Sequence, residues 1–310
     1  MKAAQVTNYN EKIEVNNIEQ PKIVEGKVLV EIHAAGINPF DWKVRAGYMK
    51  DFMPVQLPLT LGGDFSGTIT AVGDDVTDFH IGDEVYGQAN AVGGGSGSFA
   101  EFALASAKNI AAKPKNIDFL QAGAIPLTGV SALQALTEHI NLQKDQKILI
   151  HGGAGGIGSI AIQIAKHIGA YVATTVSTND KEYAQKLGAD EVIDYQNQKF
   201  EDVVKDYDAV YDTVGTETYK RSFSVLKNSG IIVSMIEQPN EELMKQFGVT
   251  ALVQLTKVTT QHLTKLTELL DNHVVTIHIE KTFSLDEAEE ALTYVQQTPP
   301  QGKVVLVIKK

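Results

Sequence analysis

The chain contains no cysteine among its 310 residues. This absence excludes disulfide bonds, thiolate metal sites and a cysteine nucleophile. Basic residues are few relative to acidic ones, because 27 Lys and Arg face 38 Asp and Glu, for a formal net charge of −11. Such an acidic balance argues against general binding to nucleic acids or to anionic membrane surfaces.

Long apolar runs are missing as well. Two long uncharged stretches are residues 119–137, which include Pro126 and two glutamines, and residues 85–100, which are rich in glycine and serine. Neither stretch predicts a membrane span. The first ten residues carry one lysine and no apolar run, which argues against a signal peptide. We therefore expect a cytoplasmic protein, and the length fits two domains of ordinary size.

The two ends of the chain are predicted to be rich in β-strands. In the segment KVLVEIHAAG, Val28, Val30 and Ile32 alternate with other residues, as on a half-buried strand. Short runs closed by glycines follow, which favour an antiparallel sandwich or a small barrel. Near the other end we expect a strand at Val275–Ile279, then a helix and a last strand. Residues 1–118 and 273–310 are thus predicted to form one β-rich domain.

The intervening residues 119–272 show alternating strand and helix patterns. Strands are predicted at Lys147–His151 and Tyr171–Val176, with a helix over Gly158–His167 between them. Further apolar strands follow towards residue 235. Strands separated by helices of about ten residues predict a parallel sheet with right-handed crossovers.

A glycine-rich loop connects the first of these strands to its helix. Gly153, Gly155 and Gly158 have the spacing G-x-G-x-x-G, directly after the apolar strand residues Ile148–Ile150. This context is typical of a loop in which the backbone approaches a pyrophosphate at a helix N-terminus. The loop therefore predicts a dinucleotide site, and a glycine-rich turn without a ligand is the alternative.

The residues after the second strand indicate which dinucleotide is preferred. An NAD site usually has an acidic residue at the end of that strand, for the ribose hydroxyls. Here the strand ends at Val176, and Ser177, Thr178, Asn179, Asp180 and Lys181 follow. Hydroxyl groups and an ammonium group favour a 2′-phosphate, so NADPH is predicted over NADH. A solvated lysine on a helix face is the alternative interpretation of Lys181, and Asp180 weakens the argument.

Ordered motifs along nearly the whole chain resemble a known family. They are GINPFDWKVRAG (36–47), LGGDFSGTITAVGDDVTDFHIGDEVYG (61–87), GSFAEFALA (97–105), AGAIPLTGVSAL (122–133), LGADEVIDY (187–195), YDAVYDTVG (207–215) and GKVVLVI (302–308). The chain resembles zinc-independent members of the medium-chain dehydrogenase/reductase superfamily, in particular zeta-crystallin-like quinone oxidoreductases and alkenal/enone reductases. The resemblance implies an α/β fold with a GroES-like β-rich catalytic domain and a Rossmann-type doubly wound parallel-sheet domain.

The same resemblance implies hydride transfer without a metal. Zinc alcohol dehydrogenases of the superfamily have Cys at the position of Asn38 and a His-Glu pair at the positions of Gly63 and Asp64. With no zinc to polarise an alcohol oxygen, acceptors that are already electrophilic are favoured. The expected activity is NADPH-dependent reduction of quinones or α,β-unsaturated carbonyls. A trans-2-enoyl thioester reductase, or a non-catalytic NADPH-binding sensor or crystallin-like protein, remains as an alternative.

The resemblance also assigns site residues. Lys43 is expected to hydrogen-bond the carbonyl oxygen of the acceptor; a surface position or an ion pair with Asp41 is the alternative, and Tyr48 is a weaker candidate donor. The expected catalytic residues are Lys43, Asn38, Asp41 and Thr128. The expected cofactor-binding residues are Gly153, Ala154, Gly155, Gly156, Ile157, Gly158, Ser177, Lys181 and Tyr195.

Two further expectations concern the Rossmann-type domain. The family resemblance implies a homodimer through an edge of its sheet, near the apolar stretch Phe247–Leu255, and an internal segment that covers the substrate is the alternative for this stretch. Asp212, at the end of the strand YDAVYD, is predicted to be a turn or helix-capping residue or else to line the cofactor cleft.

Overall fold

The computed structural model describes residues 1–51 and 55–309. The strands are β1 (Lys2–Val6), β2 (Glu14–Asn17), β3 (Lys27–Ile37), β4 (Leu59–Thr60), β5 (Asp64–Val72), β6 (Glu84–Gln88), β7 (Phe102–Ser106), β8 (Ile110–Ala112), β9 (Lys147–His151), β10 (Tyr171–Val176), β11 (Glu191–Asp194), β12 (Tyr207–Asp212), β13 (Leu226–Ser234), β14 (Thr250–Val253), β15 (Ile279–Ser284) and β16 (Lys303–Val307). The α-helices are α1 (Pro39–Arg45), α2 (Phe119–Ala124), α3 (Pro126–Gln134, continued by a π-helical turn, Ala135–His139), α4 (Gly156–Ile168), α5 (Lys181–Lys186), α6 (Thr216–Ser222), α7 (Glu241–Phe247), α8 (Thr260–Asp271) and α9 (Ala288–Gln297). Within these described ranges, no helix is long and apolar enough to cross a membrane.

The chain forms two compact units. The first contains residues 1–127, 258–273 and 277–310, and the second contains residues 128–257 and 274–276. The first unit is built on a sheet of order β15-β16-β3-β5-β6-β8, with β7 also paired to β3, and on a smaller sheet of order β2-β1-β4. Apart from the parallel pair β15 and β16, which α9 connects, these strands pair antiparallel. The alternating residues Val28, Val30 and Ile32 of β3 lie in its core, as predicted.

The second unit contains a six-stranded sheet in which every pairing is parallel. Its strand order is β11-β10-β9-β12-β13-β14. The order reverses between β9 and β12, and such a switch point is where doubly wound sheets bind dinucleotides, at the carboxyl ends of the strands. The predicted doubly wound parallel sheet is therefore confirmed, and β9 and β10 have the predicted bounds.

The compact units differ from the predicted domain boundaries in two helical segments and at residues 274–276. Helix α2 packs on the first unit, where Ala124 joins a cluster with Ala34 and Val305. Helix α8 also belongs there, because the Leu263 carbonyl accepts a hydrogen bond from the Tyr86 hydroxyl at 2.7 Å. Helical periodicity shows that a face is apolar but does not show which sheet it covers.

The strand predicted at Val275–Ile279 is wrong, since β15 begins only at Ile279. The backbone polar groups of Thr276 bond to the side chain of Gln163 on α4 instead of to a neighbouring strand. Its N–H donates to Oε1 at 2.8 Å, and its carbonyl accepts from Nε2 at 3.0 Å. A side chain distant in sequence thus replaces the ladder that the apolar alternation suggested.

Candidate active site and dinucleotide loop

The glycine-rich loop runs from the end of β9 into α4, at the switch point of the second unit. Gly152 has the left-handed backbone, with φ of +71°, and the Gly153 N–H donates to the Thr175 carbonyl at 3.1 Å. The left-handed turn therefore lies at Gly152, one residue before the first motif glycine. Gly153 is required for a different reason, because a Cβ there would lie 2.0 Å from Thr174 Oγ1.

The other two motif glycines have opposite surroundings. A Cβ on Gly158 would lie 2.2 Å from the Gly152 carbonyl oxygen, so this glycine lets the first turn of α4 press on the loop. A Cβ on Gly155 would meet only that same oxygen, at 3.5 Å, so the space beside Gly155 is open. Gly155 is also the N-cap of α4, whose first turn has no acidic residue. An open backbone at a helix N-terminus fits a pyrophosphate.

Two of the predicted cofactor-binding residues, Ser177 and Tyr195, directly follow the adjacent strands β10 and β11. Strands β10 and β11 pair so that Val176 faces Asp194, and the Tyr195 N–H donates to the Val176 carbonyl at 3.1 Å. The structure thus brings the segments that contain Ser177 and Tyr195 together. Lys181 begins α5 and is exposed, and the Tyr195 side chain is 61% exposed.

Two carboxylates lie among these residues. The Ser177 hydroxyl donates to Asp180 at 2.6 Å, and the Thr178 hydroxyl donates to Asp194 at 2.7 Å. Hydrogen bonds from Thr178 and Asn197 hold the pKa of Asp194 below its usual range, and the Lys181 charge acts in the same direction. The strand end is therefore less free of acidic groups than the sequence alone suggested.

In the first unit, two buried charged side chains bond to the side chain of Asn38, just after the end of β3. The Asn38 Nδ2 donates to Asp64 at 2.9 Å, and its Oδ1 accepts from the Lys303 ammonium at 2.6 Å. Asp64 also accepts from Gln88 Nε2 at 2.8 Å and from the Leu127 N–H at 3.1 Å. Burial raises the pKa of Asp64 and lowers that of Lys303, and each opposes the shift of the other.

Asp41 lies one turn further along, inside α1. Its carboxylate accepts the Asn38 N–H at 2.8 Å, as the third-position residue of a capping box. Burial raises the pKa of Asp41 to about 7, against the lowering effect of that hydrogen bond, and the Asp64 charge raises it further. With both aspartates ionised, the cluster has two negative charges and one positive charge.

The remaining predicted catalytic residues have different surroundings. Lys43 is half-buried on α1, with its ammonium 5.7 Å from the centre of the Trp42 ring. Tyr48 packs edge-on against Trp42 at 5.9 Å and is otherwise exposed. Asn38, Asp41 and Lys43 thus belong to the first unit. Thr128 is buried in the first turn of α3 and belongs to the second.

The sequence pattern did not indicate Lys303 or Gln88, and it indicated Asp64 only as the replacement of a zinc ligand. A signal existed for Lys303, because a lysine opens the apolar strand KVVLV. Asp212, by contrast, is a turn residue: it is fully buried and accepts the N–H groups of Val214 and Gly215 at 3.0 and 2.9 Å. In the part of the chain that the structure describes, no group of three or more His, Cys, Asp or Glu is placed to hold a metal ion.

Comparisons with known proteins agree with this geometry. A family model described as an alcohol dehydrogenase GroES-like domain matches residues 24–115. A model described as a zinc-binding dehydrogenase matches residues 187–306. The predicted combination of a GroES-like and a Rossmann-type domain is confirmed.

Individual relatives cover nearly the whole chain. It is 36% identical to the 2-methylene-furan-3-one reductase of Solanum lycopersicum, over 99% of this chain and 79% of that protein. It is 34% identical to the chloroplastic NADPH-dependent alkenal/one oxidoreductase of Arabidopsis thaliana, over 94% and 74%. Among solved structures, the quinone oxidoreductase from Coxiella burnetii matches with a TM-score of 0.91 and 33% identity, over 100% of this chain and 99% of that one.

This protein belongs to the medium-chain dehydrogenase/reductase superfamily, in the branch of quinone oxidoreductases and alkenal/one oxidoreductases. It is an oxidoreductase, and its fold provides a site for a nicotinamide cofactor.

Proposed function

We propose that this protein uses NADPH to reduce quinones or α,β-unsaturated carbonyls without a metal ion. The observation that carries the proposal is the open backbone at Gly155, which lies at the N-terminus of α4 and at the switch point of the parallel sheet. The names of the relatives add the substrate class, since they include a furanone reductase, an alkenal/one oxidoreductase and quinone oxidoreductases. A quinone oxidoreductase of Escherichia coli, 26% identical with a TM-score of 0.88, was solved with NADPH.

The residues that would hold the cofactor are those of the loop and of the two neighbouring strand ends. When bound, NADPH supplies a hydride. Gly153, Ala154, Gly155, Gly156, Ile157 and Gly158 would bind the pyrophosphate with backbone N–H groups, and Thr128 would contact the nicotinamide.

The preference for NADPH over NADH depends on Ser177, Lys181 and Tyr195. The Lys181 ammonium and the Tyr195 phenol can both donate to a 2′-phosphate, and both side chains are exposed. The Ser177 hydroxyl donates to Asp180 and would have to turn from it to reach the phosphate. The preference is therefore carried mainly by Lys181 and Tyr195.

At the acceptor, the proposed roles follow from donor chemistry. Lys43 has only donors, so it would stabilise the oxygen that gains negative charge as hydride arrives. Asn38 would contribute an amide N–H in the same sense. Buried Asp41 would hold Asn38 and α1 in place through its hydrogen bond to the Asn38 N–H.

The activity is tested by NADPH oxidation with a panel of quinones, enals, enones and a trans-2-enoyl thioester. Turnover of quinones or enones is expected. Tight NADPH binding without turnover of any acceptor would show a non-catalytic NADPH-binding protein, and turnover of the thioester alone would show an enoyl thioester reductase.

We also propose a homodimer formed through β14. This strand is the last in the order of the parallel sheet, so its outer edge offers unpaired backbone groups to a second copy. Leu255, just beyond it, is 79% exposed. Leu255→Asp should shift the protein from dimer to monomer in sedimentation equilibrium, whereas Ile81→Asp, at an exposed position of the first unit, should not. A wild-type monomer would refute the proposal.

A further inference from the structure

Lys303 occupies an unusual position for a lysine. It is the first residue of β16, is 4% exposed, and precedes a run of core valines and leucine. Strand β16 pairs with β3 so that Val304 faces Ile37, which places Lys303 beside Asn38. Its ammonium donates to the Ile37 carbonyl at 2.9 Å and to Asn38 Oδ1 at 2.6 Å.

Asp64 binds the nitrogen of the Asn38 amide, opposite the oxygen that Lys303 binds. Its carboxylate is fully buried and accepts from Asn38 Nδ2 at 2.9 Å. The Gln88 side chain and the Leu127 N–H, which also donate to Asp64, keep the carboxylate from turning. We call Lys303, Asn38 and Asp64 the amide clamp.

The clamp allows only one orientation of the amide. Lysine offers donors alone, and an ionised carboxylate offers acceptors alone. If the Asn38 amide flipped, its NH₂ would face the ammonium and its oxygen would face the carboxylate, so both hydrogen bonds would be lost. The clamp leaves one amide N–H of Asn38 unused by either partner.

We propose that Lys303 is a positioning residue for hydride transfer: through the clamp, it makes Asn38 present an N–H, never a carbonyl, to the acceptor oxygen. This proposal rests on the proposed function, because Asn38 is taken to contact the quinone or enone. An N–H stabilises the negative charge that develops on that oxygen, whereas an amide oxygen would repel it. The family resemblance alone did not single out Lys303.

A purely structural role for Lys303 makes a different prediction. The ammonium is also the countercharge of Asp64 and Asp41. If it served only to neutralise Asp64, then removing both charges together would restore the fold and the activity. If it positions Asn38, removing both would restore the fold alone.

The test compares the wild type, Lys303→Met/Asp64→Asn and Asp64→Asn in steady-state reduction of an enone and a quinone, with NADPH affinity and thermal unfolding measured on each. The single variant changes the Asp64 end of the clamp but keeps the lysine donors on Asn38, so it is the reference for kcat. The double variant should bind NADPH and unfold as Asp64→Asn does. Its kcat should be about 100-fold lower than that of Asp64→Asn, which is the effect expected of a misplaced catalytic group. Lys309→Met, at an exposed lysine after the same strand, is the control and should keep wild-type kcat.

Two outcomes separate the positioning role of Lys303 from the proposed function. A double variant with the kcat of Asp64→Asn would overturn the positioning role and leave the proposed function standing. A wild-type protein that binds NADPH but reduces neither acceptor would refute the proposed function and this inference with it. Should the double variant not fold, Lys303→Arg provides the comparison. Its side chain also offers donors alone, so kcat should stay within about 10-fold of wild type, and a larger loss with intact NADPH binding counts against the clamp.

Discussion

The raised pKa of Asp41 makes a strong prediction about stability and pH. Burial raises the pKa of its carboxyl to about 7 in the folded protein, against 3.8 for an aspartate in water. Because the folded state binds this proton more tightly than the unfolded chain, the resulting stability is fully present below about pH 4 and is lost as the pH rises through about 7. A shift of about three pH units corresponds to about 4 kcal/mol of free energy of unfolding.

Asp41→Asn removes the titration and keeps the capping geometry. The amide oxygen can still accept the Asn38 N–H that the carboxylate accepts at 2.8 Å. The variant should therefore match the wild type near about pH 4 and be more stable by up to about 4 kcal/mol near about pH 8. Over this window the wild type should lose more stability than the variant, because other buried carboxyls with raised pKa values, such as Asp64, titrate in both proteins.

The chain offers its own reporter for this experiment. Trp42 is its only tryptophan and directly follows Asp41, so fluorescence during urea denaturation follows the first unit. Asp118→Asn, the same change at the exposed start of α2, controls for the substitution. If the wild type and Asp41→Asn show the same pH dependence, the argument from burial is refuted.

Three further predictions concern the proposed site. Lys181→Ala should weaken NADPH binding by about 3- to 10-fold and leave NADH binding unchanged in fluorescence titrations, because one charge contact to the 2′-phosphate is lost. Lys186→Ala, on the same helix, should change neither affinity. An equal loss of affinity for both coenzymes would contradict the assignment of Lys181. Gly155→Val should raise the Kd for NADPH at least about 10-fold, because its side chain would occupy the open space proposed for the pyrophosphate, and it should change the Tm little. Gly158→Ala should instead lower the Tm. An undiminished NADPH affinity of the valine variant would place the pyrophosphate elsewhere. Lys43→Ala should reduce kcat for enones by about 10- to 100-fold without changing NADPH affinity, Lys50→Ala serving as the exposed control; unchanged turnover would remove Lys43 from the mechanism.

Apolar periodicity and the spacing of glycines along the sequence predicted much of the second unit. The strands Lys147–His151 and Tyr171–Val176 have the predicted bounds, and the glycine loop lies between strand and helix as its spacing indicated. These features depend on apolar periodicity and on the steric demands of single residues, such as Gly158, where a Cβ would lie 2.2 Å from the Gly152 carbonyl oxygen. Both are readable over a few turns of chain.

Features that depend on contacts between residues far apart in sequence were not predicted. Lys303 and Asn38 lie 265 residues apart in sequence, and only the pairing of β16 with β3 brings them together. Likewise, the burial that raises the pKa of Asp41 depends on packing, not on its neighbours along the chain. The strand expected at Val275–Ile279 failed because the Gln163 side chain bonds to Thr276. A single sequence contains no direct record of such long-range partners.

The central claim, hydride transfer from NADPH to a conjugated acceptor, is tested most directly with NADPH in which both hydrogens at nicotinamide C4 are replaced by deuterium. The protein is incubated with this cofactor and an enone, and the product is examined by NMR. We predict a saturated ketone with deuterium on the former β-carbon. Deuterium on the carbonyl carbon of an allylic alcohol, or no deuterium in any product, would contradict the account.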